Sequence, residues 1–251
     1  MVHFVGAGPG AEDLITVRGE HYLREADVII YAGSLVNPAL LEVKKEACEV
    51  YNSACMTLEE VIEVIEKAET EKKMTVRLHT GDASIYGAIK EQMDELRKRA
   101  IAYDVCPGVS SFCGAAASLQ VEYTLPDISQ SVIITRMEGR TPVPPKESIQ
   151  SFAAHQATMV IFLSTGMLEE LSRRLISGGY APDTQAAICY KVTWPEEETY
   201  LCTVETLAKT AREHKITKTA LIIVGDVLAG NYTRSELYNP RFTTEFREAI
   251  E

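Results

Sequence analysis

The sequence has few features of a secreted, metal-binding or membrane-spanning protein. Its 251 residues include six cysteines and no Cys-x-x-Cys pair, so we expect reduced, mostly buried thiols and no disulfide framework or zinc site. No apolar run approaches the ~20 residues that a membrane-spanning helix needs, and the N-terminus lacks the basic and apolar regions of a secretory signal. These absences predict a cytoplasmic protein without a metal site or a membrane partner.

An excess of positive charge is also absent. The chain carries 25 Lys and Arg against 36 Asp and Glu, which gives a formal net charge of −11 at pH 7. Because binding to nucleic-acid phosphates needs clustered cations, this balance argues against a nucleic-acid partner. A small anionic ligand remains compatible with it, since a local basic patch can lie on an acidic protein.

Alternating strand-like and helix-like segments fill the first half of the chain. The composition, 46% apolar and 24% charged, is that of an ordinary globular protein. Apolar, β-branched runs at residues 27–33 and 74–80 predict buried strands, and residues 57–73 predict a helix that starts with a capping box of Thr57 and Glu60. We expect Ser84 to cap a further helix that runs through Arg97. This alternation predicts an α/β fold with a mostly parallel sheet.

The second half restarts with its own pattern of strands and helices. Residues 131–136 and 158–166 look like strands, and residues 185–194 and 198–204 look like a strand pair across Pro195. We therefore predict two α/β lobes, residues 1–120 with a mostly parallel sheet and residues 121–251 with a mixed sheet. Ligands favour the clefts between such lobes, and we expect one there.

The opening loop, residues 5–10 (VGAGPG), lies between a predicted strand and a predicted helix. Three residues fit the G-x-G-x-x-G/A pattern of dinucleotide-binding folds, namely Gly6, Gly8 and Ala11. However, Pro9 has no N–H to offer a phosphate, the carboxylate of Glu12 would repel one, and no acidic residue ends the second strand to hold a ribose. We interpret the loop as a close backbone approach to a bulky ligand; a tight turn without a ligand is the alternative.

Four motifs in order carry a resemblance over nearly the whole chain. VGAGPG with DLIT, GDASIYG, CPGVSS and TALIIVG resemble the tetrapyrrole (class III) methyltransferases, which use S-adenosylmethionine to methylate porphyrinoid carbons. Residues 31–41, 79–93 and 135–144 resemble more narrowly the members that methylate carbon 11 of a corrin precursor, with or without cobalt. Members that act on C17, C20 or uroporphyrinogen are the nearest alternatives. Ala83 stands where many relatives have proline, and we expect a slightly looser turn there with activity retained.

The resemblance implies ligand contacts from the short loops that follow strands. The implied cofactor-binding residues are Pro9, Gly81, Asp82, Ile85, Ser110, Ser111, Leu163, Val192 and Ala220. The candidate substrate-binding residues are Ser34, Asn37, Tyr86, Arg136 and Arg140, of which the two arginines, with Lys146 beside them, would form a local positive patch for a macrocycle that carries many carboxylates.

Each of these residues also has a purely structural interpretation. Asp82 fits a turn that caps a helix, Ser110 and Ser111 fit helix N-caps, and Leu163 fits a buried strand. The arginines fit a solvated surface loop. His79 is more typical of a structural histidine than of a catalyst.

No side chain is assigned a catalytic role. The reduced macrocycle itself offers an enamine-like carbon, so methyl transfer would depend on positioning and on stabilising redistributed charge. The resemblance also implies a homodimer. Two other classes stay open: an NAD-dependent oxidoreductase, on the opening loop alone, and a sensor that binds the cofactor without turnover.

Overall fold

Two compact units make up the chain. The computed structural model describes residues 1–230 and 232–250, without the side chain of Ser34. The first unit comprises Met1–Gly114 with Val192–Glu196, and the second comprises Ala115–Lys191 with Glu197–Glu251. The boundary at residue 120 stays a prediction, and it did not include the return of residues 192–196 to the first unit.

The first unit is built on five parallel strands. In chain order they are β1 (Val2–Gly6), β2 (Val28–Tyr31), β3 (Glu49–Asn52), β4 (Thr75–His79) and β5 (Tyr103–Cys106). They lie side by side in the order β3-β2-β4-β1-β5. Every residue of β1 and β4 is buried, as expected for central strands of a parallel sheet that is covered on both faces.

Helices cover both faces of this sheet. Helices α2 (Leu58–Thr70) and α3 (Ile89–Lys98) pack on one face and α1 (Val17–Glu25) on the other, and each face has its own apolar cluster. Ile65 of α2 is fully buried, and this burial stabilises the fold by about 1.5–3 kcal/mol. Helix α4 (Ser111–Leu119) follows β5.

Local signals predicted the start of α2 correctly and the start of α3 wrongly. Thr57 and Glu60 form the expected capping box. Ser84, in contrast, caps no helix, because α3 begins only at Ile89 after Ala88 in the left-handed conformation. Tyr86 is left-handed as well, with φ of 56°. Two left-handed residues within three positions interrupt any helix that starts at Ser84.

The second unit holds a mixed sheet. Its strands are β6 (Val132–Arg136), β7 (Thr158–Phe162), β8 (Gln185–Tyr190), β9 (Glu198–Thr203) and β10 (Ala220–Val224), in the order β6-β7-β10-β8-β9. Only the β6–β7 pair is parallel, and the other three pairs are antiparallel. Helices α5 (Ile149–Ala153), α6 (Leu168–Gly178) and α7 (Leu207–Glu213) pack with the strands in one apolar cluster. The prediction of a parallel first sheet and a mixed second sheet is confirmed.

The cysteines differ in their exposure to solvent. Cys48, Cys106 and Cys189 are buried free thiols, whereas Cys55 and Cys113 are exposed, so burial of the cysteines is less general than expected.

Within residues 1–230 and 232–250, no helix has the length and apolar character to cross a membrane.

Candidate functional site

The predicted cofactor residues of the first unit gather at one edge of its sheet. Strand β1 pairs in parallel with both β4 and β5. The loops that follow these three strands therefore emerge side by side at the carboxyl edge of the sheet, where open α/β sheets bind ligands. These loops are residues 7–11, 80–88 and 107–110.

Three glycines let these loops pack backbone against backbone. A Cβ atom on Gly6 would lie 2.6 Å from the Cα of Gly108 and 2.6 Å from the carbonyl oxygen of Gly81. A Cβ on Gly108 would lie 2.2 Å from that same oxygen. We call this contact of Gly6, Gly81 and Gly108 the glycine junction. The junction accounts for Gly6, the first glycine of the opening motif, because a side chain there would overlap backbone atoms of the protein itself.

Hydrogen bonds fasten the opening loop to the loop after β4. The N–H of Gly8 donates to the oxygen of Gly81 at 3.2 Å, and the N–H of Gly81 donates back to Gly8 at 2.9 Å. The N–H of Ala7 donates to the carbonyl oxygen of His79 at 2.7 Å. A phosphate-binding loop needs free N–H groups. The N–H groups of Ala7 and Gly8 in the opening loop already have partners within the protein.

The segment Val192–Glu196 holds the far end of the opening loop. Trp194 donates from Nε1 to the carbonyl oxygen of Pro9 at 3.0 Å, and Thr193 accepts from the N–H of Ala11 at 3.0 Å. The indole lies so close that a Cβ on Gly10 would come within 2.2 Å of its Cδ1 atom. Asn37 donates to the oxygen of Gly10 at 2.9 Å, so this predicted substrate residue braces the same loop.

Asp82 joins the loops after β4 and β5. One carboxylate oxygen accepts from the N–H of Ser84 at 2.8 Å and from its hydroxyl, and the other accepts from the N–H of Gly108 at 2.8 Å. Burial alone would raise the pKa of Asp82, but these hydrogen bonds outweigh it and lower the pKa below its usual range. A carboxylate has about four acceptor positions, so three hydrogen bonds leave room for one more donor.

The remaining predicted residues of the first unit lie around these loops. The position of a Cβ on Gly81 is 3.6 Å from both the Cα of Ser110 and the N of Ser111. Ser110 is buried, and Ser111 is the first residue of α4. A Cβ on Gly114 would lie 3.3 Å from side-chain atoms of both Pro9 and Val192. The structure thus brings together Pro9, Gly81, Asp82, Ser110, Ser111 and Val192, with Ile85 partly buried and Tyr86 45% exposed on the loop after β4.

Two predicted cofactor residues lie together in the second unit. Leu163 directly follows β7, and Ala220 begins the neighbouring strand β10. The hydroxyl of Thr165 donates to the carbonyl oxygen of Ala220 at 3.1 Å. Leu163 is 66% exposed and left-handed, with φ of 53°. An exposed leucine in a strained conformation at a strand end is not a buried strand residue, so the structural alternative for Leu163 is wrong.

The predicted cationic patch is only partly available to a ligand. Arg136 donates to the carbonyl oxygens of Met137, Thr141 and Pro142, each at 3.1 Å, so its guanidinium stabilises its own loop. Arg140 is exposed on that loop. The side chain of Ser34 lies outside what the structure describes.

His79 is the last residue of β4, two residues before Gly81 of the glycine junction. It is 3% exposed, and within the described part of the chain its Nε2 atom has no hydrogen-bond partner. Burial, with a smaller contribution from the charge of Arg77, lowers the pKa of His79 to about 3. The imidazole is therefore neutral at physiological pH.

Sequence reasoning missed the residues that hold the loops from elsewhere in the chain. Trp194 and Thr193 lie more than 180 residues from the opening loop that they contact. The one available signal is that Trp194 is the only tryptophan, at the end of a predicted strand and next to Pro195. Gly108 stood in a quoted motif, but its contact with Asp82 was not predicted.

Known proteins match the chain over most of its length. A sequence model of the tetrapyrrole (corrin/porphyrin) methylases matches residues 1–208. Cobalt-precorrin-4 C(11)-methyltransferase of Methanocaldococcus jannaschii is 53% identical over 249 residues, which are 99% of this chain and 96% of that protein. The enzyme of the same name from Priestia megaterium is 41% identical, over 99% of this chain and 98% of that protein.

Solved structures share the fold. An X-ray structure of a cobalt precorrin-4 methyltransferase superposes with a TM-score of 0.89 at 42% identity, over 90% of this chain and 95% of that chain. A uroporphyrin-III C-methyltransferase from Thermus thermophilus, solved with S-adenosylhomocysteine, has a TM-score of 0.78 at 22% identity, over 92% of this chain and 99% of that chain. Because the family model matches residues 1–208 and the relatives match over nearly the full length, with the same fold, the chain belongs to the tetrapyrrole (corrin/porphyrin) methylases.

Proposed function

We propose that this protein is an S-adenosylmethionine-dependent methyltransferase that methylates C11 of cobalt-precorrin-4 or precorrin-4, giving the corresponding precorrin-5 in cobalamin biosynthesis. The observation that carries the proposal is the 53% identity to a cobalt-precorrin-4 C(11)-methyltransferase over 99% of the chain. Since that relative and the one at 41% identity are both named for the cobalt form, cobalt-precorrin-4 is the first substrate to test.

The geometry of the first unit suits a ligand that is held largely by backbone. The opening loop, the loop after β4 and the start of α4 meet around glycines. We propose that Pro9, Gly81, Asp82, Ser110, Ser111 and Val192 hold S-adenosylmethionine, and that Ile85, Leu163 and Ala220 add apolar contacts. The remaining acceptor position of Asp82 suits a donor group of the ligand.

The chemistry of methyl transfer asks mainly for positioning. When bound, S-adenosylmethionine supplies an electrophilic methyl group, and the macrocycle supplies the nucleophilic carbon. The protein orients the two reactants at near-attack distance, which is a large part of the rate enhancement in such reactions. Neutral His79 fits this scheme, because a methyl transfer to an enamine-like carbon needs no strong base at that position.

Substrate contacts are proposed on the side of the loops after β2 and β4. The proposed residues are Ser34 and Asn37, which follow β2 in the sequence, and Tyr86, which follows β4. Arg140 is proposed to bind a substrate carboxylate. Arg136 is proposed to stabilise the loop that contains Arg140. We further propose a homodimer and a cytoplasmic location.

Calorimetric titration with S-adenosylhomocysteine, and with NAD in parallel, tests the proposal. The wild-type protein should bind S-adenosylhomocysteine saturably. Asp82→Ala should weaken binding about 10-fold or more, because it removes both the hydrogen bonds to Ser84 and Gly108 and the acceptor proposed for the ligand. Asp94→Ala is the matched control, since within the described residues Asp94 pairs with exposed cations on α3.

The result also separates the alternatives. A preference for NAD would favour an oxidoreductase. Binding of S-adenosylhomocysteine without methylation of any tetrapyrrole would favour a sensor. Methylation at C17 or C20, or of uroporphyrinogen, would identify a different member of the family.

A further inference from the structure

Arg77, in the middle of β4, is a buried cation without an opposite charge. It is 5% exposed, and within the described residues it forms no ion pair with a carboxylate. Its guanidinium donates instead to three neutral acceptors, each at 2.9 Å: Oε1 of Gln92, the carbonyl oxygen of Ile30 and the hydroxyl of Ser53.

Stability alone does not account for an arginine at this position. Burying an ion away from water is costly, and even buried ion pairs can often be replaced by apolar residues with stability unchanged or improved. Burial lowers the pKa of Arg77 to about 10, so the side chain stays charged at neutral pH. What the planar guanidinium adds is a fork of donors in fixed directions, which no apolar side chain can supply.

One arm of this fork leads to the loop after β4. Gln92, 6% exposed on α3, accepts from Arg77 and donates from Nε2 to the carbonyl oxygen of Ala88 at 3.1 Å. Ala88 is the left-handed residue at which that loop ends. Residues 82–88 include Asp82 and Ile85, which we propose for S-adenosylmethionine. This arm therefore anchors the C-terminal end of the proposed cofactor loop.

A second arm leads to the loop after β2. Ser53 accepts from Arg77 and donates to the carbonyl oxygen of Tyr31 at 3.0 Å. Tyr31 is the last residue of β2, and the chain continues from it to Asn37, which we propose for the substrate. This arm anchors the start of the proposed substrate loop.

We infer that Arg77 is a positioning residue for the methyl transfer, which fixes the proposed cofactor loop through Gln92 and the proposed substrate loop through Ser53. The inference rests on the proposed function. We call Arg77, Gln92 and Ser53 the Arg77 network. Removing the arm through Gln92 should disturb the cofactor, and with it the substrate contact of Tyr86 on the same loop. Removing the arm through Ser53 should disturb the substrate and leave the cofactor unchanged, which a general loss of packing would not do.

Single-arm variants test this directly. In Gln92→Leu the Kd of S-adenosylhomocysteine, measured by calorimetry, should rise about 2- to 10-fold, as expected for one lost hydrogen bond, and the KM for the tetrapyrrole should rise with it, because the proposed substrate residue Tyr86 lies on the same loop. In Ser53→Ala the KM for the tetrapyrrole should rise by a similar factor, while the Kd of S-adenosylhomocysteine stays unchanged. The matched controls are Gln156→Leu and Ser129→Ala, which each remove a side chain bonded to the backbone in the second unit.

Changing the arginine itself should combine the two effects. Arg77→Met should raise both constants, and Arg77→Lys should restore them only in part, since an ammonium lacks the fork that reaches three acceptors. Should Arg77→Met fail to fold, the single-arm variants still decide the question.

Equal losses in thermal stability with an unchanged Kd and KM in all four variants would overturn the inference and leave a structural network. A rise in the Kd of S-adenosylhomocysteine in Ser53→Ala equal to that in Gln92→Leu would overturn it as well, because the arms would not be separate. If the wild-type protein binds no S-adenosylhomocysteine, it is the proposed function that fails.

Discussion

His79 shows how a single residue can link the site to the pH dependence of stability. The unfolded chain binds a proton on this histidine near pH 6.5, whereas in the folded protein the pKa is about 3 because of burial and the nearby charge of Arg77. Between these values the unfolded state binds more protons. The contribution of His79 to stability is therefore complete above about pH 6.5 and is lost as the pH falls toward 3.

The replacement His79→Leu should flatten this dependence. We expect the free energy of unfolding of the wild-type protein to fall by up to about 1.4 kcal/mol per pH unit below pH 6.5 on account of this residue, and that slope should be missing in the variant. Urea unfolding between pH 4 and 7 measures it, with His155→Gln as the control because His155 is exposed. An unchanged slope in His79→Leu would contradict a buried, neutral imidazole.

At the scale of single residues, the sequence predicted residues that the fold brings together, but it did not predict their hydrogen-bond partners. The motif around Asp82 predicted a ligand-facing turn, yet most acceptor positions of this carboxylate serve Ser84 and Gly108. The bond to Ser84 is local and could be expected for Asp in a turn. The bond to Gly108 spans 26 residues and exists only because β4 and β5 end at the same edge of the sheet. Sequence patterns do not encode such a pairing.

At the scale of elements, the three loops depend on the glycine junction. The Cβ of Gly108→Ala would meet backbone atoms of Gly81 and Gly6, which cannot move aside as a side chain can. We expect this variant to lose about 1–3 kcal/mol of stability or more, and to bind S-adenosylhomocysteine more weakly. Urea unfolding and calorimetry measure the two effects.

Gly139→Ala is the matched control for that prediction. A Cβ on Gly139 has no neighbour within 4 Å in the described structure, so stability and binding should remain as in the wild-type protein. If Gly108→Ala is as stable and binds as tightly as Gly139→Ala, the close backbone contact of Gly108 with Gly81 and Gly6 would be contradicted.

The opening loop offers an optical signal for ligand binding. Trp194, the only tryptophan, is bonded to Pro9, which we propose as a cofactor contact. Saturating S-adenosylhomocysteine should therefore change the intensity or wavelength of tryptophan emission. Gly10→Ala, whose Cβ would overlap the indole, should alter the emission before any ligand is added. Binding seen by calorimetry with no change in emission would place the ligand away from Pro9.

Elements were predictable where their signals are local. The capping box at Thr57 started α2 as expected, because it needs only residues of the same turn. The start of α3 was wrong, because the left-handed residues Tyr86 and Ala88 have no distinctive sequence pattern. Strand β3 was missed because only alternate residues of this short edge strand are half-buried.

At the scale of the whole molecule, the alternation of strands and helices predicted both sheets. Parallel strands need long connections, and the first half of the chain has them. In the second half, two predicted strands separated by only a few residues around Pro195 indicated an antiparallel pair. The return of Val192–Glu196 to the first unit was not predictable, since it follows from contacts of Trp194 and Thr193 that only the folded chain creates. The family motifs supplied the function, which neither composition nor periodicity contains.

Methyl transfer to a defined substrate tests whether the protein is a C11-methyltransferase. The purified protein is incubated with cobalt-precorrin-4 and S-adenosylmethionine that carries a ¹³C-labelled methyl group, and the product is analysed by mass spectrometry and NMR. We predict one added methyl group, bonded to C11, with release of S-adenosylhomocysteine. A methyl group at another ring position, or no transfer to either precorrin-4 or its cobalt form by a protein that binds S-adenosylhomocysteine, would contradict the proposed function.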